Sequence, residues 1–266
     1  MAMIGAIIGD IVGSRFEFSN FKSKEFELFH KDCDYTDDTI CTIATADWLL
    51  RDDQNTEQSY AKILQDWCRK YPHPKGGYGG RFHSWIYDET RQPYRSYGNG
   101  SAMRVSPVGW IFSTIEKTIE VAATSAKVSH DHTEGIKGAQ ATSAAIFLAR
   151  NGNSKEQIKN SIETQFGYDL NRTVEEIRPI YKYNETCQRT VPEAIISFLD
   201  STDFEDAIRN AISLGGDADT LTCITGAIAE AYYGTSVLEV IAQEVFNRLP
   251  QEFSQIILRF YNDRRN

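Results

Sequence analysis

The segment Gly215-Gly-Asp-Ala-Asp-Thr-Leu-Thr-Cys-Ile-Thr-Gly-Ala-Ile-Ala-Glu-Ala231 shows most clearly what kind of fold the chain adopts. From Asp219 onward its apolar residues recur at helical spacing, at Leu221, Ile224, Ile228 and Ala231. This period predicts a helix that buries one face against a core. The two glycines before it predict the end of a preceding helix, because glycine commonly follows a last helical turn. Residues 215–231 therefore predict a helix packed inside a helical protein.

Apolar residues follow the same period along most of the chain. Further helices are predicted at Asp38–Leu50, Thr56–Lys70, Ala102–Ile111, Thr114–Ala126, Thr133–Arg150, Pro192–Leu199, Phe204–Leu214, Ser236–Arg248 and Phe253–Tyr261. The apolar start, Met1–Asp10, predicts a buried helix, and the glycines at Gly5, Gly9 and Gly13 predict close helix packing there. No segment alternates polar and apolar residues for long enough to predict a strand. We therefore predict an all-α fold.

No internal repeat and no Pro/Ser-rich linker divides the sequence, so we expect one compact helical domain over residues 1–266. Glycine and proline predict loops at Pro72–Gly80 and Tyr97–Gly100. Residues Ser161–Arg189 are polar and irregular, and we interpret them as an excursion from the core. Loops carry chemistry more often than helices do, which directs attention to the breaks between helices.

Composition excludes several classes of protein. The 266 residues are 41% hydrophobic, as in an ordinary globular protein, and 28 Lys and Arg stand against 37 Asp and Glu. The net charge of −9 makes a nucleic-acid partner unlikely, except as a modified substrate end, because phosphates attract basic surfaces. Asp10 interrupts the apolar start before it reaches membrane-span length, so no membrane partner is expected. Five cysteines without a C-x-x-C pair favour the cytoplasm.

Two acidic clusters stand at the beginnings of predicted helices: Tyr35-Thr-Asp-Asp-Thr39 and Gly215-Gly-Asp-Ala-Asp-Thr220. Asp and Thr are favoured at a helix start without any function, so either cluster alone is interpreted first as a cap. Together they are harder to explain as caps, because one cap needs only one oxygen acceptor. If the two helix starts meet, four carboxylates converge and require cations or raised pKa values. A site with only oxygen ligands suits Mg²⁺, Mn²⁺ or Ca²⁺.

Two further motifs join these clusters. Gly9-Asp-Ile-Val-Gly-Ser-Arg-Phe-Glu-Phe18 predicts a helix that ends near Gly13 and places Glu17 in the following loop, and Gly98-Asn-Gly-Ser-Ala-Met-Arg104 predicts a tight turn before a helix. The four motifs, in this order, resemble those of the ADP-ribosylglycohydrolase family. The resemblance runs from about residue 4 to residue 234 and implies a compact all-α domain with two metal ions in a cleft.

The resemblance also implies roles for individual residues. Two divalent ions, Mg²⁺ or Mn²⁺, would be held by Thr36, Asp37, Asp38, Asp217, Asp219 and Thr220. Glu17 would be the catalytic residue beside the metals and the scissile ribose. The residues implied to contact ADP-ribose are Gly98, Asn99, Gly100, Ser101, Ala102, Met103 and His130.

For several other residues a structural role explains the sequence as well as a functional one does. A histidine before a helix is often a cap, and we interpret His132 in that way. The glycine-rich run Gly76–Gly80 lacks the ending of a phosphate-binding P-loop and is interpreted as a flexible connector at the cleft rim. Arg104 would either face the phosphates or be a surface cation. The turn Gly98–Gly100 brings a bare backbone and the N–H groups of the following helix toward a pyrophosphate, although a simple cap explains the turn equally well.

The function implied is a metal-dependent hydrolase that cleaves the glycosidic bond between ADP-ribose and an acceptor, with an ADP-ribosylated protein or a small ADP-ribose conjugate as substrate. A two-metal nucleotide phosphatase and a non-catalytic ADP-ribose-binding protein are the alternatives. The stretch Asp10–Glu17 is similar to relatives that cleave O-linked ADP-ribose, but arginine, serine, an ester and a nucleic-acid end all stay open as acceptors. The role of Glu17 as acid, base or water-positioning group is open too, and a monomer is expected.

Overall fold

The computed structural model describes residues 2–234 and 238–263, without the side chains of residues 238–240. These residues form helices and no β-strand, so the all-α prediction is confirmed. The helices are α1 (Ile4–Gly13), α2 (Asp37–Arg51), α3 (Glu57–Lys70), α4 (Gly80–Ile86), α5 (Gly100–Met103), α6 (Ser106–Ile111), α7 (Ile115–Lys127), α8 (Thr133–Arg150), α9 (Lys155–Phe166), α10 (Val174–Ile177), α11 (Cys187–Leu199), α12 (Phe204–Ser213), α13 (Ala218–Tyr233), α14 (Leu238–Arg248) and α15 (Gln251–Asp263).

Most of the predicted helices are present, and α8 has the predicted bounds. The prediction for Ala102–Ile111 is wrong in one respect, because the segment forms two short helices, α5 and α6, with a break after Met103. Pro107 lies in the first turn of α6, where its missing N–H costs nothing. The helix predicted from Ser236 begins at Leu238 in the structure, and Ser236 itself lies outside the described residues.

The interpretation of Ser161–Arg189 as an irregular excursion is wrong at its two ends, where α9 and α11 extend into it, and at the short helix α10. Helix α9 continues to Phe166, and Gly167 follows it in the left-handed conformation with φ +68°. Ser154 and Gln157 form a capping box at the start of α9, a sequence signal that would have predicted this helix. Helix α11 begins at Cys187 rather than at the predicted Pro192, because the proline removes only one backbone hydrogen bond after the first turn.

Helices α1 and α13 pack side by side and antiparallel at the centre of the molecule. A Cβ atom built on Gly9 would lie 2.1 Å from the carbonyl oxygen of Thr222, and one built on Gly5 would lie 2.3 Å from that of Gly226. Only glycine allows the two backbones to approach this closely, so the predicted close packing of the glycine stripe is confirmed. All of α1 is buried, as is α13 from Ala218 to Ala231.

The other helices surround this pair. Helices α8, α11 and α12 pack against α13, while α2 packs against α3 and α15. The buried hydrophobic side chains form one cluster that draws on nearly every helix. No helix within the described part of the chain is long and apolar enough to cross a membrane. The central pair therefore fixes where the N-terminal end of α13 and the loop after α1 lie.

Candidate active site

The two acidic clusters meet at the beginnings of α2 and α13. Asp37 and Asp38 from α2 and Asp217 and Asp219 from α13 all line one cavity of about 400 Å³. The Thr220 hydroxyl connects the two helix starts by donating to Asp38 Oδ1 at 3.4 Å. The convergence of four carboxylates that the sequence allowed is therefore present in the structure.

The turn before α13 aims its two carboxylates into the cavity. Gly215 and Gly216 have φ values of +68° and +75°, a backbone region that other residues rarely adopt. Asp217 then precedes the helix without capping it through its own side chain. Its Oδ2 instead accepts a hydrogen bond from Asn99 Nδ2 at 2.6 Å. Because of the glycine turn, the Asp217 carboxylate lines the cavity instead of capping α13, as the sequence predicted.

Asp10 holds the first turn of α2 in place and is a residue whose role sequence reasoning missed. Its carboxylate is fully buried and accepts hydrogen bonds from the Thr36 backbone N–H at 3.0 Å and the Thr36 hydroxyl at 2.7 Å. It also accepts from the backbone N–H of Thr39 at 3.1 Å and from the Thr39 hydroxyl. Burial raises its pKa to about 6. An aspartate inside an otherwise apolar helix was the available signal, because a buried carboxylate needs several donors.

Glu17 lies with Asp217 and Asp219 in a compact oxygen cluster. One carboxylate oxygen of each residue lies within 4.8 Å of the others, an arrangement that could hold a metal ion. Burial, and then the charges of Asp217 and Asp10, raise the pKa of Glu17 to about 7. The loop after α1 therefore delivers Glu17 to the carboxylates, as the sequence predicted, and the structure makes it a candidate ligand as well.

Three other carboxylates of the cavity also have raised pKa values. Burial raises the pKa values of Asp37, Asp38 and Asp219 well above the usual range, and neighbouring carboxylates raise them further. Within the described part of the chain, Asp38 Oδ2 is buried and has no hydrogen-bond partner. Buried carboxylates of this kind are stabilised by protons or by cations. The all-oxygen donor set and the unpartnered oxygen both fit a hard divalent cation.

Five of the six predicted metal ligands line the cavity: Asp37, Asp38, Asp217, Asp219 and Thr220. Thr36 is not among the lining residues. Its hydroxyl donates to Asp10 Oδ1 and accepts from the backbone N–H of Asp38 at 3.2 Å, so Thr36 serves as the cap of α2. Its role as a ligand remains a prediction.

The predicted ADP-ribose loop divides into two parts. Gly98, Asn99, Gly100 and Met103 line the cavity, while Ser101 donates to the Gly135 carbonyl at 2.7 Å and Ala102 is buried away from the cavity lining. Helix α5, which follows the turn, is only four residues long. The expected attraction of a pyrophosphate to a helix start therefore loses its basis, because one turn has almost no dipole. The close approach of the glycine backbone is unaffected.

His130 lies directly beside this loop in the cavity lining, and Arg104 orients it. Arg104 is fully buried, so its interpretation as a surface cation is wrong. Its guanidinium donates to the Ser129 hydroxyl at 2.9 Å, and that hydroxyl lies 2.8 Å from His130 Nδ1. If the Ser129 hydroxyl accepts from Arg104 and donates to Nδ1, the neutral ring carries its proton on Nε2, the nitrogen that lies beside Gly98 and Gly100. Burial keeps the imidazole neutral by lowering its pKa well below the usual value.

His132 has the structural role that its position predicted. Its Nδ1 accepts the backbone N–H of Glu134 at 3.1 Å and caps α8.

The mouth of the cavity is formed by a rim of Phe18, Gly76–Gly80, Tyr183 and Glu185. The glycine run was expected at the cleft rim, whereas the other three residues were not predicted to take part. Two backbone hydrogen bonds attach the Tyr183–Cys187 segment to the Tyr97–Gly100 turn: Asn99 N to Glu185 O at 2.8 Å and Cys187 N to Tyr97 O at 3.0 Å. Residues distant in sequence thus complete one wall of the cavity, which is why sequence patterns did not reveal them.

Comparisons with known proteins agree with this architecture. The sequence is 27% identical to the ADP-ribosylhydrolase ARH3 of Mus musculus, over 87% of this chain and 82% of that relative. It is 25% identical to the ADP-ribosylarginine hydrolase Tri1 of Pseudomonas putida over 94% of this chain and 78% of the relative.

A solved structure described as an ADP-ribosylglycohydrolase-related protein complex has the same fold. It superposes with a TM-score of 0.76, covers 98% of this chain and 96% of its own, and is 23% identical. The sequence profile of the ADP-ribosylglycohydrolase family matches residues 1–265. The protein therefore belongs to the ADP-ribosylglycohydrolase family.

Proposed function

We propose that the protein is a metal-dependent hydrolase that releases ADP-ribose from an acceptor to which it is joined by a glycosidic bond. The observation that carries this proposal is the convergence of Glu17, Asp217 and Asp219 in a cavity that the Gly98–Gly100 turn also lines. The names of the mouse and Pseudomonas relatives support the same reaction. A cavity of about 400 Å³ is within the range that binds small organic molecules.

The substrate would lie along the ADP-ribose loop with its distal ribose toward the carboxylates. Gly98 and Gly100 offer a backbone without side chains, and the neutral His130 offers an Nε2–H donor beside them. These groups suit phosphate and sugar oxygens, which accept hydrogen bonds. Asn99 donates a hydrogen bond to Asp217. This bond holds the Gly98–Gly100 turn next to the carboxylate cluster.

Two divalent ions, Mg²⁺ or Mn²⁺, would be held by Asp37, Asp38, Asp217, Asp219 and Thr220, with Thr36 as a further ligand. Bound ions of this kind hold sugar hydroxyls, offset the charge of the carboxylates and lower the pKa of water. The raised pKa values of the carboxylates support this assignment, because the cluster is unfavourable while all its members are ionised and no cation is bound.

In the reaction, the oxygen of water bonds to the anomeric carbon of the distal ribose as the bond from that carbon to the acceptor breaks. The acceptor keeps the electron pair and gains a proton, while the water loses one, so the charges balance. We assign this proton transfer to Glu17, because a carboxyl group in the cavity lining can accept and donate a proton there. Glu17 lies within 4.8 Å of the Asp217 and Asp219 oxygens, beside the place proposed for the reacting ribose.

Release of free ADP-ribose from arginine-linked and serine-linked ADP-ribosyl peptides tests the proposal. We expect release with Mg²⁺ or Mn²⁺ and none with chelator. Asp219→Asn and Glu17→Gln should each lower kcat/KM by at least about 100-fold, as loss of a ligand or a proton-transfer group does. Asp219→Asn should also abolish the rise in melting temperature that Mn²⁺ causes in the wild type.

Asp66→Asn is the matched control, because Asp66 pairs with Lys62 on an exposed helix face outside the cavity lining. It should keep both activity and the Mn²⁺ response. If ADP-ribose raises the melting temperature but neither peptide is cleaved, the protein binds ADP-ribose without hydrolysing it. Release of inorganic phosphate from a nucleotide, without release of ADP-ribose, would instead identify a phosphatase.

A further inference from the structure

The rim next to Glu17 carries a pair of stacked aromatic rings exposed to solvent. The ring centroids of Phe18 and Tyr183 lie 5.9 Å apart with 29° between the ring planes. Phe18 is 72% exposed and Tyr183 is 43% exposed, although both are large apolar side chains. Exposed apolar surface beside a polar cleft is typical of a ligand-binding site. The pair therefore requires an explanation that packing within the protein does not supply.

A second, smaller cavity lies beneath this pair. Its volume is about 230 Å³, and its walls include Glu17, Phe18, Asn20, Tyr183 and Gly216. Glu17, Phe18 and Tyr183 also line the larger cavity, so the two spaces meet at the Glu17 side chain. If ADP-ribose occupies the larger cavity with its distal ribose at Glu17, the group attached to that ribose continues toward the smaller one. This step rests on the proposed function.

The charges around the smaller cavity favour a cation. Glu185 accepts a hydrogen bond from the Tyr183 hydroxyl at 2.8 Å, and Glu17 lines the smaller cavity together with the aromatic pair. The residues described as lining the smaller cavity include no lysine or arginine.

Three lysines, Lys22, Lys75 and Lys182, lie near this part of the molecule and keep their positive charges, but none of them lines the smaller cavity. Lys22 donates to the carbonyls of Tyr181 and Leu214, and Lys75 donates to that of Asp32. Aromatic faces with carboxylates beside them attract a planar cation, and a guanidinium group stacks on such faces better than an ammonium group does.

We infer that Phe18, Tyr183 and Glu185 form an acceptor subsite that recognises a guanidinium group, so that arginine-linked ADP-ribose is the preferred substrate class. A serine acceptor is uncharged. Neither the carboxylates nor the aromatic faces of the subsite would attract it as they attract a guanidinium group. The stretch Asp10–Glu17 is similar to relatives that cleave O-linked ADP-ribose and so points to the other acceptor class. The aromatic pair lines both cavities beside Glu17, where the acceptor would leave.

The test compares kcat/KM for two peptides of equal sequence that carry ADP-ribose on arginine or on serine. The wild type should favour the arginine-linked peptide. Phe18→Ala and Tyr183→Ala should each lower kcat/KM for that peptide by about 10-fold, within the range of cation–π energies, and lower it less than 2-fold for the serine-linked peptide. Glu185→Gln should act in the same direction, whereas Tyr183→Phe should retain most of the preference because the ring is kept.

Tyr87→Ala is the matched control, because Tyr87 is 50% exposed and lies outside both cavity linings. It should change neither rate. Preference of the wild type for the serine-linked peptide would overturn the acceptor inference and leave the proposed hydrolase intact. Equal losses for both peptides in Phe18→Ala would also overturn it, by assigning the pair to ADP-ribose binding. Failure of the wild type to release ADP-ribose from either peptide would overturn the proposed function itself.

Discussion

The floor and the rim of the cavity are built in different ways. The floor, which consists of α1, the N-terminal half of α13 and the first turn of α2, is buried and held by backbone contacts and by the carboxylate of Asp10. The rim of Phe18, Gly76–Gly80, Tyr183 and Glu185 is largely exposed and is held by a few hydrogen bonds. The difference teaches that the part of the site that holds carboxylates together must be rigid, because like charges repel. The exposed rim, which we propose meets the acceptor, can vary without loss of the fold.

Gly9→Ala tests the rigidity of the floor and should have the largest effect. Its Cβ would lie 2.1 Å from the Thr222 carbonyl oxygen, and neither helix backbone can move without disturbing the core. We expect the free energy of unfolding to fall by about 3 kcal/mol, at the upper end of overpacking costs. Chemical denaturation measures the change.

The control for this substitution is Gly80→Ala, at the first residue of α4. No atom lies within 4 Å of a Cβ built there, so the change in stability should stay within about 0.5 kcal/mol. A Gly9→Ala protein as stable as the Gly80→Ala protein would contradict the rigid floor.

Asp10→Asn separates the positioning of α2 from general stability. The amide places an N–H₂ group against the donors of Thr36 or Thr39, so about 1–3 kcal/mol of stability should be lost. Because the first turn of α2 carries Asp37 and Asp38, kcat/KM for ADP-ribose release should also fall by about 10- to 100-fold, as for groups that orient metal ligands. The Mn²⁺ concentration at half-maximal thermal shift should rise as well.

Asp52→Asn is the matched control for Asp10→Asn. Asp52 accepts hydrogen bonds from the backbone N–H groups of Thr56 and Gln54 at the opposite end of α2, and it does not line the cavity. This variant should lose stability without losing activity or the Mn²⁺ response. Equal losses of activity in the two variants would mean that Asp10 acts only through stability.

Gly76→Ala and Gly77→Ala test the rim and should have the smallest effects on stability. Both glycines have positive φ, +76° and +84°, so alanine costs each about 1 kcal/mol or slightly more. Only the Gly76 substitution places a Cβ against Glu17, 2.5 Å from Oε2. We expect kcat/KM to fall about 10-fold in Gly76→Ala, because Glu17 must move, and to stay near the wild-type value in Gly77→Ala. Equal kcat/KM values would show that the rim does not position Glu17.

The sequence by itself predicted the helical fold and most of the carboxylates that meet in the candidate site. Helical periodicity, the acidic clusters and the glycine turn are local patterns, and each depends only on neighbouring residues, so the bounds of α8 and the starts of α2 and α13 could be predicted. The excursion after Ser161 was misinterpreted because polar helices carry a weak apolar period, although the capping box of α9 was present in the sequence.

Only the tertiary structure decided how distant segments meet. It directed the Thr36 hydroxyl to Asp10, buried Arg104 behind His130, and brought Phe18 against Tyr183 at the mouth of the cavity. None of these contacts follows from spacing along the chain, because each depends on which helix faces pack together and how closely their backbones approach. Local chemistry therefore determined which groups the protein could use, and the packing of α1 against α13 determined where they meet.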